Sequence, residues 1–246
     1  MSLTPTFDKY TLLKSLIEQS KHIVVFTGAG ISVPSGIPDF RSANGLYNQS
    51  SGISYSPEEI ISHSFFYAHT EEFYDFYKKK MCYVNAKPNL AHIYFGKLSE
   101  TKDVAVVTQN IDGLHQAGGS KEVYELHGSI HRNYCTHCHK FYSLEDILKK
   151  DGIPYCDSCH SIIKPDVVLY EEGLDELVIQ GALQKISNAD LLIVVGTSLV
   201  VYPAASFIRY FRGKYLVLIN KSKTQYDSQA DLIFNEDVID VIKKIS

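Results

Sequence analysis

His22-Ile23-Val24-Val25-Phe26-Thr27-Gly28-Ala29-Gly30-Ile31-Ser32 is the stretch on which the fold turns. An apolar, β-branched run without alternation is the pattern of a parallel strand buried on both faces. It ends in a Gly-x-Gly turn, where the missing side chains let the backbone approach a diphosphate at a helix start, whose amide donors favour anions. Gly-x-Gly by itself also fits a tight turn with no ligand. Two details argue against an ordinary hydride-transfer enzyme. Val33 stands where a third glycine would, and about 20 residues on the chain reads Asn48-Gln49-Ser50-Ser51, with no acid for a ribose. The loop that follows, Pro34-Ser35-Gly36-Ile37-Pro38-Asp39-Phe40-Arg41, brings a guanidinium and an aromatic ring beside the phosphate site. Arg41 is suited to phosphate and Phe40 to covering a ring.

Outward from this stretch the same pattern recurs. Residues 104–107, 167–169, 191–195 and 216–219 are further short apolar runs, and helical spacing fills 10–19, 88–98, 174–186, 203–211 and 236–245. Alternating β and α predicts a doubly wound, Rossmann-type parallel sheet in the α/β class. Segments 42–86, aromatic-rich and mostly helical, and 131–164, which holds the cysteine pairs, break the rhythm. They are expected to be insertions that together form a smaller domain, leaving 1–41, 87–130 and 165–246 as the nucleotide domain.

With 246 residues, 45% of them hydrophobic, the chain can bury one good core and a smaller module. A net charge of −4 gives no reason to expect nucleic acid or an anionic membrane as partner. No apolar run approaches the roughly 18 residues that span a bilayer, and residues 1–10 lack a secretory pattern, so the cytoplasm is the expected location.

Four of the five cysteines form Cys135-x-x-Cys138 and Cys156-x-x-Cys159, separated by 17 residues. That is the spacing of a zinc ribbon with four thiolates, which leaves no open coordination position, so one structural zinc ion is expected. A redox pair or two disulfides are the alternatives. Neither pair opens a helix of a thioredoxin-like unit. His137, His139 and His160 read as surface residues.

Two strand ends carry polar clusters. Thr108-Gln109-Asn110-Ile111-Asp112-Gly113-Leu114-His115 closes the 104–107 run, where open α/β sheets bind ligands. Val123-Tyr124-Glu125-Leu126-His127-Gly128 puts His127 at the end of another run, as a plausible general base.

Taken together, Gly28-Ala29-Gly30-Ile31-Ser32, Gly36-Ile37-Pro38-Asp39-Phe40-Arg41, Thr108-Gln109-Asn110-Ile111-Asp112-x-Leu114-His115 and His127-Gly128 resemble, in order and separation, the motifs of the sirtuins. The resemblance runs from about residue 22 to 237 and suggests a minimal, bacterial-type catalytic core. It implies that NAD is consumed rather than reduced. An acyl-lysine oxygen displaces nicotinamide at ribose C1′, and a base-activated ribose hydroxyl then takes the acyl group. His127 would be that base, Asn110 would orient ribose or water, and Gln109, Ile111 and Asp112 would hold the nicotinamide-ribose end. The glycine turn, Ser32, Asp39, Phe40 and Arg41 would complete the NAD contacts, with Phe40 shielding the reacting carbon. The family also carries its zinc module just after His-Gly.

The resemblance extends to Lys164-Pro165-Asp166-Val167-Val168-Leu169-Tyr170-Glu171-Glu172-Gly173, the segment expected to pair with substrate peptide as an added strand. Val168 and Tyr170 would line the lysine tunnel, with Glu171 beside them. Tyr-Glu-Glu stands here where many members read Phe-Gly-Glu. Gly196-Thr197-Ser198 matches the second glycine turn, and Asn220, Lys221, Asp237 and Val238 would close the adenosine end. Members that remove acidic acyl groups carry Tyr-x-x-Arg where this chain has Tyr74-Asp75-Phe76-Tyr77, so a neutral acyl group such as acetyl is expected. The stripe Phe65, Phe66, Phe73, Tyr74, Phe76 and Tyr77 reads as core. The expected partner is thus an acyl-lysine protein or peptide, acted on by a monomer. ADP-ribosyl transfer from the same site is the alternative activity, and an NAD-binding module without catalysis is a third reading.

Overall fold

The computed structural model describes residues 8–40, 45 and 55–246, so Arg41 and Asn48-Gln49-Ser50-Ser51 lie outside the described residues. Strands follow in chain order as β1 (His22–Thr27), β2 (Asp103–Thr108), β3 (Glu122–Glu125), β4 (Gly128–Cys135), β5 (Phe141–Tyr142), β6 (Ile163–Val167), β7 (Leu191–Val195), β8 (Tyr215–Ile219) and β9 (Leu232–Phe234). The principal helices are α1 (Lys9–Gln19), α2 (Pro57–Ile60), α3 (His63–Ala68), α4 (Thr70–Lys80), α5 (Leu90–Thr101), α6 (Leu114–Ala117), α7 (Leu144–Leu148), α8 (Glu176–Asn188) and α9 (Val238–Ile245).

Six strands form one parallel sheet in the order β3-β2-β1-β7-β8-β9. The order reverses beside β1, and Thr27 pairs with Thr108 on one side and Val195 on the other, so three strand ends open level on one crevice. The missing alternation in these strands has a plain cause. Ile23, Val25, Val104, Val106, Ile193 and Val217 pack against α1, α5 and α9, while Val24, Phe26, Ala105, Val107, Val194 and Leu218 pack against α8 and a 3-10 helix at Ala204–Tyr210. Both faces are dry.

A second, antiparallel sheet, β5-β4-β6, shares its core with α2, α3 and α4. Phe66, Phe73, Tyr74, Phe76 and Tyr77 are all buried there beside Ile130, Ile147 and Ile163, so the aromatic stripe is core.

Three expectations need correction. The run 167–169 is no strand of the parallel sheet, because its start belongs to β6, an edge strand of the small sheet, where Pro165 can sit without costing a ladder bond. Residues 204–210 wind as a 3-10 helix, with the Ser206 hydroxyl and amide both donating to the Pro203 carbonyl at 2.6 and 2.9 Å. No α-helix starts after either glycine turn. Val33-Pro34 allows only 3-10 turns at Ala29–Ile31 and Val33–Ser35, and after Gly196 the chain stays irregular until Ala204.

Candidate functional site

The site assembles at the carboxyl ends of β1, β2 and β7. The two glycine turns touch: Gly28 N–H donates to the Val195 carbonyl (3.1 Å) and Gly30 N–H to that of Gly196 (2.8 Å). A Cβ on Gly30 would lie 2.7 Å from the Gly196 Cα, and one on Gly28 at 2.7 Å from the Thr197 Cβ. The approach requires glycine. Asn89, the N-cap of α5, props this turn by donating from Nδ2 to the Ile31 carbonyl (2.7 Å) and Ser35 Oγ (2.9 Å).

The 108–112 segment threads through the turns. Gln109 Nε2 donates to Thr197 Oγ1 (3.0 Å), and Asn110 Nδ2 donates to the Gly28 carbonyl (3.2 Å) and Ser32 Oγ (3.1 Å). Ser32 Oγ donates onward to Asp112 Oδ2 (2.7 Å), whose other oxygen accepts from Leu114 N–H (2.9 Å). Burial raises the Asp112 carboxyl above the usual aspartate range, opposed by Ser32. Ser32, Asn110 and Asp112 are therefore one connected set, and Gln109 with Thr197 a second pair beside it.

His127 stands where β3 hands over to β4. Its Nδ1 lies 2.9 Å from the Gln109 carbonyl, and a carbonyl only accepts, so Nδ1 carries the proton. Nε2 is left as a bare acceptor with no partner among the described residues. Burial holds the imidazole below the usual histidine range, offset by the bond to Gln109, so it stays neutral at pH 7. Gly128 follows with φ +75°, and a Cβ there would lie 1.9 Å from the Asp166 carbonyl oxygen. The His-Gly pair thus combines a neutral imidazole with a free acceptor nitrogen and a close crossing of β4 onto β6. Arg132 braces that crossing with bonds to Glu125 (2.6 Å) and Asp166 (2.7 Å).

Phe40 and Ile111, both partly buried, pack against the core of the small sheet and helices. Val168 N–H donates to the His127 carbonyl (3.0 Å), so the 168–171 segment is tied to the base's own backbone. Tyr170 N–H and C=O are both taken, by Ile61 O (3.0 Å) and His63 N (2.9 Å). Among the described residues the Val168 carbonyl and the main-chain groups of Glu171 make no main-chain hydrogen bond, unlike those of Tyr170.

At the far end Asn220 Oδ1 accepts from Thr197 N–H (2.9 Å), while its buried Nδ2 has no partner among the described residues. Lys221 pairs with Asp237 (2.8 Å), the N-cap of α9. The Val238 side chain is buried in the sheet's core, and Ser198 is exposed. The orphaned Asn220 amide and the bare His127 Nε2 are unsatisfied hydrogen-bonding groups that fit a dinucleotide running from β8 to β2.

Sequence reasoning gave no role to Asn89, or to a polar relay behind β1 and β2. There His115 Nε2 meets Thr27 Oγ1 (3.0 Å), which donates to Thr108 Oγ1 (2.8 Å), which accepts from Asn110 N–H (3.0 Å). His115 stacks edge-on with buried His92, ring centroids 4.8 Å apart. The polar residues within an apolar frame were the available signal.

Cys135, Cys138, Cys156 and Cys159 bring four sulfurs within 4.8 Å of one another, with pairs at 3.3 and 3.6 Å, far beyond a disulfide. Four Zn–S bonds near 2.3 Å place sulfurs about 3.8 Å apart, so the donor set fits one tetrahedral zinc. Amides of His137, Cys138 and Ser158 donate to Cys135 and Cys156 sulfurs at 3.4 Å, as thiolate ligands require. His137, His139 and His160 are exposed.

Comparison with known proteins agrees with this geometry. A family model described as Sir2 family matches residues 28–203. An NAD-dependent protein deacetylase of Clostridium perfringens is 59% identical over 97% of this chain and 98% of its own length, and one of Staphylococcus aureus 45% identical over 95% and 96%. Among solved structures, a Sir2 with p53 peptide and NAD+ superposes with a TM-score of 0.84 at 42% identity, covering 97% of both chains. Sir2Tm bound to a propionylated peptide gives 0.84 at 40% identity, with the same coverage.

Proposed function

The chain belongs to the Sir2 family, and from that premise we propose that it is an NAD-dependent protein-lysine deacylase, a deacetylase first of all, which passes the acyl group to ADP-ribose and releases nicotinamide. The observation that carries this reading is the tautomer of His127, with Nδ1–H held by the Gln109 carbonyl and Nε2 free at a strand end. When bound, NAD supplies the electrophilic ribose C1′ and the acceptor for the acyl group. His127 Nε2 takes the proton of a ribose hydroxyl, and the fixed Nδ1–H bond orients the ring for it. Asn110 orients ribose or water, Gln109, Ile111 and Asp112 hold the nicotinamide-ribose end, and Phe40 with Ile111 keeps water out. Gly28, Ala29, Gly30, Ser32, Thr197 and Ser198 are assigned to the phosphates and riboses, with Asp39 and Arg41 beside them. Asn220, Lys221, Asp237 and Val238 take the adenosine end, and Val168, Tyr170 and Glu171 the acyl-lysine peptide. Cys135, Cys138, Cys156 and Cys159 hold one structural zinc.

Residues 1–41, 87–130 and 165–246 are assigned to the nucleotide domain, and 42–86 with 131–164 to the smaller one. Tyr77, buried where an arginine would greet an acidic acyl group, supports preference for neutral acyl chains. No helix among the described residues is long and apolar enough to cross a membrane. A cytoplasmic monomer acting on protein rather than nucleic acid completes the proposal, supported by the net charge of −4 and the four closely grouped thiols. The test is stoichiometry: nicotinamide released in a one-to-one ratio with peptide deacetylated, and no NADH formed, is the expected result. NADH accumulation would restore a dehydrogenase, and ADP-ribose on protein without deacylation would restore the transferase.

A further inference from the structure

Glu171 is a non-glycine residue at φ +76°, in the left-handed region that favours glycine. Such a conformation persists only where its surroundings over-determine it. Here its carboxylate accepts from the Ser64 amide (2.9 Å) and from Ser64 Oγ (3.0 Å), both in the first turn of α3. The next residue does the same one position earlier: Glu172 Oε1 meets His63 Nδ1 (2.9 Å), while its Oε2 takes Lys164 Nζ (3.0 Å) and Leu169 N–H (2.9 Å). In an extended strand successive side chains point to opposite faces. The left-handed turn at 171 breaks that alternation, and two consecutive carboxylates reach consecutive residues of α3.

The main chain agrees. Tyr170 is bonded on both sides to residues 61 and 63, and Val168 N–H to His127 O. The Val168 carbonyl and both main-chain groups of Glu171 make no hydrogen bond among the described residues. Residues 168–171 are thus strung between the proposed base and the start of α3, with these peptide groups left without a main-chain partner among the described residues.

Resting on the deacylase reading above, we propose that Glu171 is a positioning residue for the acyl-peptide. Its carboxylate latches the peptide-binding segment onto Ser64 and so fixes the unpaired groups of Val168 and Glu171 in register for an incoming strand. The latch acts through the backbone, and the acyl-lysine chemistry itself is untouched by it.

The experiment compares wild type with Glu171→Gly, Glu171→Gln and Ser64→Ala in steady-state deacetylation of an acetyl-lysine peptide, with amide hydrogen exchange of residues 61–66 measured in parallel. Glycine accepts the left-handed turn but drops the latch, so Glu171→Gly raises the peptide KM about tenfold, leaves kcat and the NAD KM near wild type, and speeds exchange at Ser64. Glutamine keeps an oxygen for the Ser64 amide and stays within about threefold of wild type, and Ser64→Ala, which keeps the amide bond, falls between. A wild-type peptide KM and slow Ser64 exchange in Glu171→Gly would overturn the latch. So would an equal KM rise in Glu171→Gln, which would assign the effect to the charge. If wild type turns over no acyl-peptide, the functional reading fails, and Ser64 exchange alone decides whether the latch exists.

Discussion

At the scale of single residues, the protonation of three histidines sets the behaviour. His127 lies below the ordinary histidine range because it is buried, so the base form survives into mildly acidic solution. The acid limb of kcat/KM against pH is therefore expected below about 6.5, the free imidazole value. A limb clearly above that value would contradict the lowering of His127 by burial. His92, pulled down to about 4 by burial, and His115, held well below the ordinary histidine value by the same cause, stay neutral in the folded state. Unfolded, both bind a proton near pH 6.5, so the unfolded chain is favoured as pH falls through that value, until folded His92 titrates near 4. Urea unfolding should show stability present above about pH 6.5 and declining progressively below it, and a His92→Gln variant should flatten the decline. Identical pH profiles for variant and wild type would contradict this assignment. A buried pair of this kind cannot be read from sequence, since a histidine in an apolar frame looks the same whether it is wet or dry.

At the scale of elements, glycines decide which strands can touch. Gly128→Ala forces a Cβ into the Asp166 carbonyl at φ +75°, and the backbone conformation alone costs about 1 to 3 kcal/mol. The expected outcome is a chain that melts well below wild type; an unchanged melting temperature would show that β4 and β6 do not cross so closely. Gly30→Ala pushes on Gly196 and separates the two turns, so NAD affinity, measured by titration calorimetry, should fall at least about tenfold with the small sheet intact. The zinc ribbon is the third such element. Metal analysis should find one zinc per chain, and chelation should melt β4 to β6 cooperatively, because four thiolates within 4.8 Å repel or oxidise without an ion. These elements were legible because glycine turns and cysteine spacings are local. The sheet strands β1, β2, β7 and β8 were legible because both faces are apolar. β9, three residues long, and β6, which contains a proline and whose Lys164 and Asp166 alternate with buried positions, were not, since their strand character comes from the neighbours they pair with.

At the scale of the molecule, the candidate site draws on separate cores. The sheet's cores place β1, β2 and β7 level, and Phe40 and Ile111 pack against the third core, around Phe73 and Ile163. The crossing was not legible in sequence, because Arg132, Asn89 and Glu171 make their bonds across 7 to 107 residues of chain. The place of the candidate residues Gln109, Asn110, Asp112 and His127 was legible, because they follow the ends of strands the sequence does disclose. The account as a whole claims that this chain moves an acyl group from lysine to ADP-ribose under the control of His127. The most direct measurement is mass spectrometry of the products from an acetyl-lysine peptide with and without NAD, for wild type and His127→Ala. The account predicts deacetylated peptide and O-acetyl-ADP-ribose in equal amounts, only with NAD, and a loss of at least about a hundredfold in the variant. Free acetate without O-acetyl-ADP-ribose, or turnover without NAD, would contradict it.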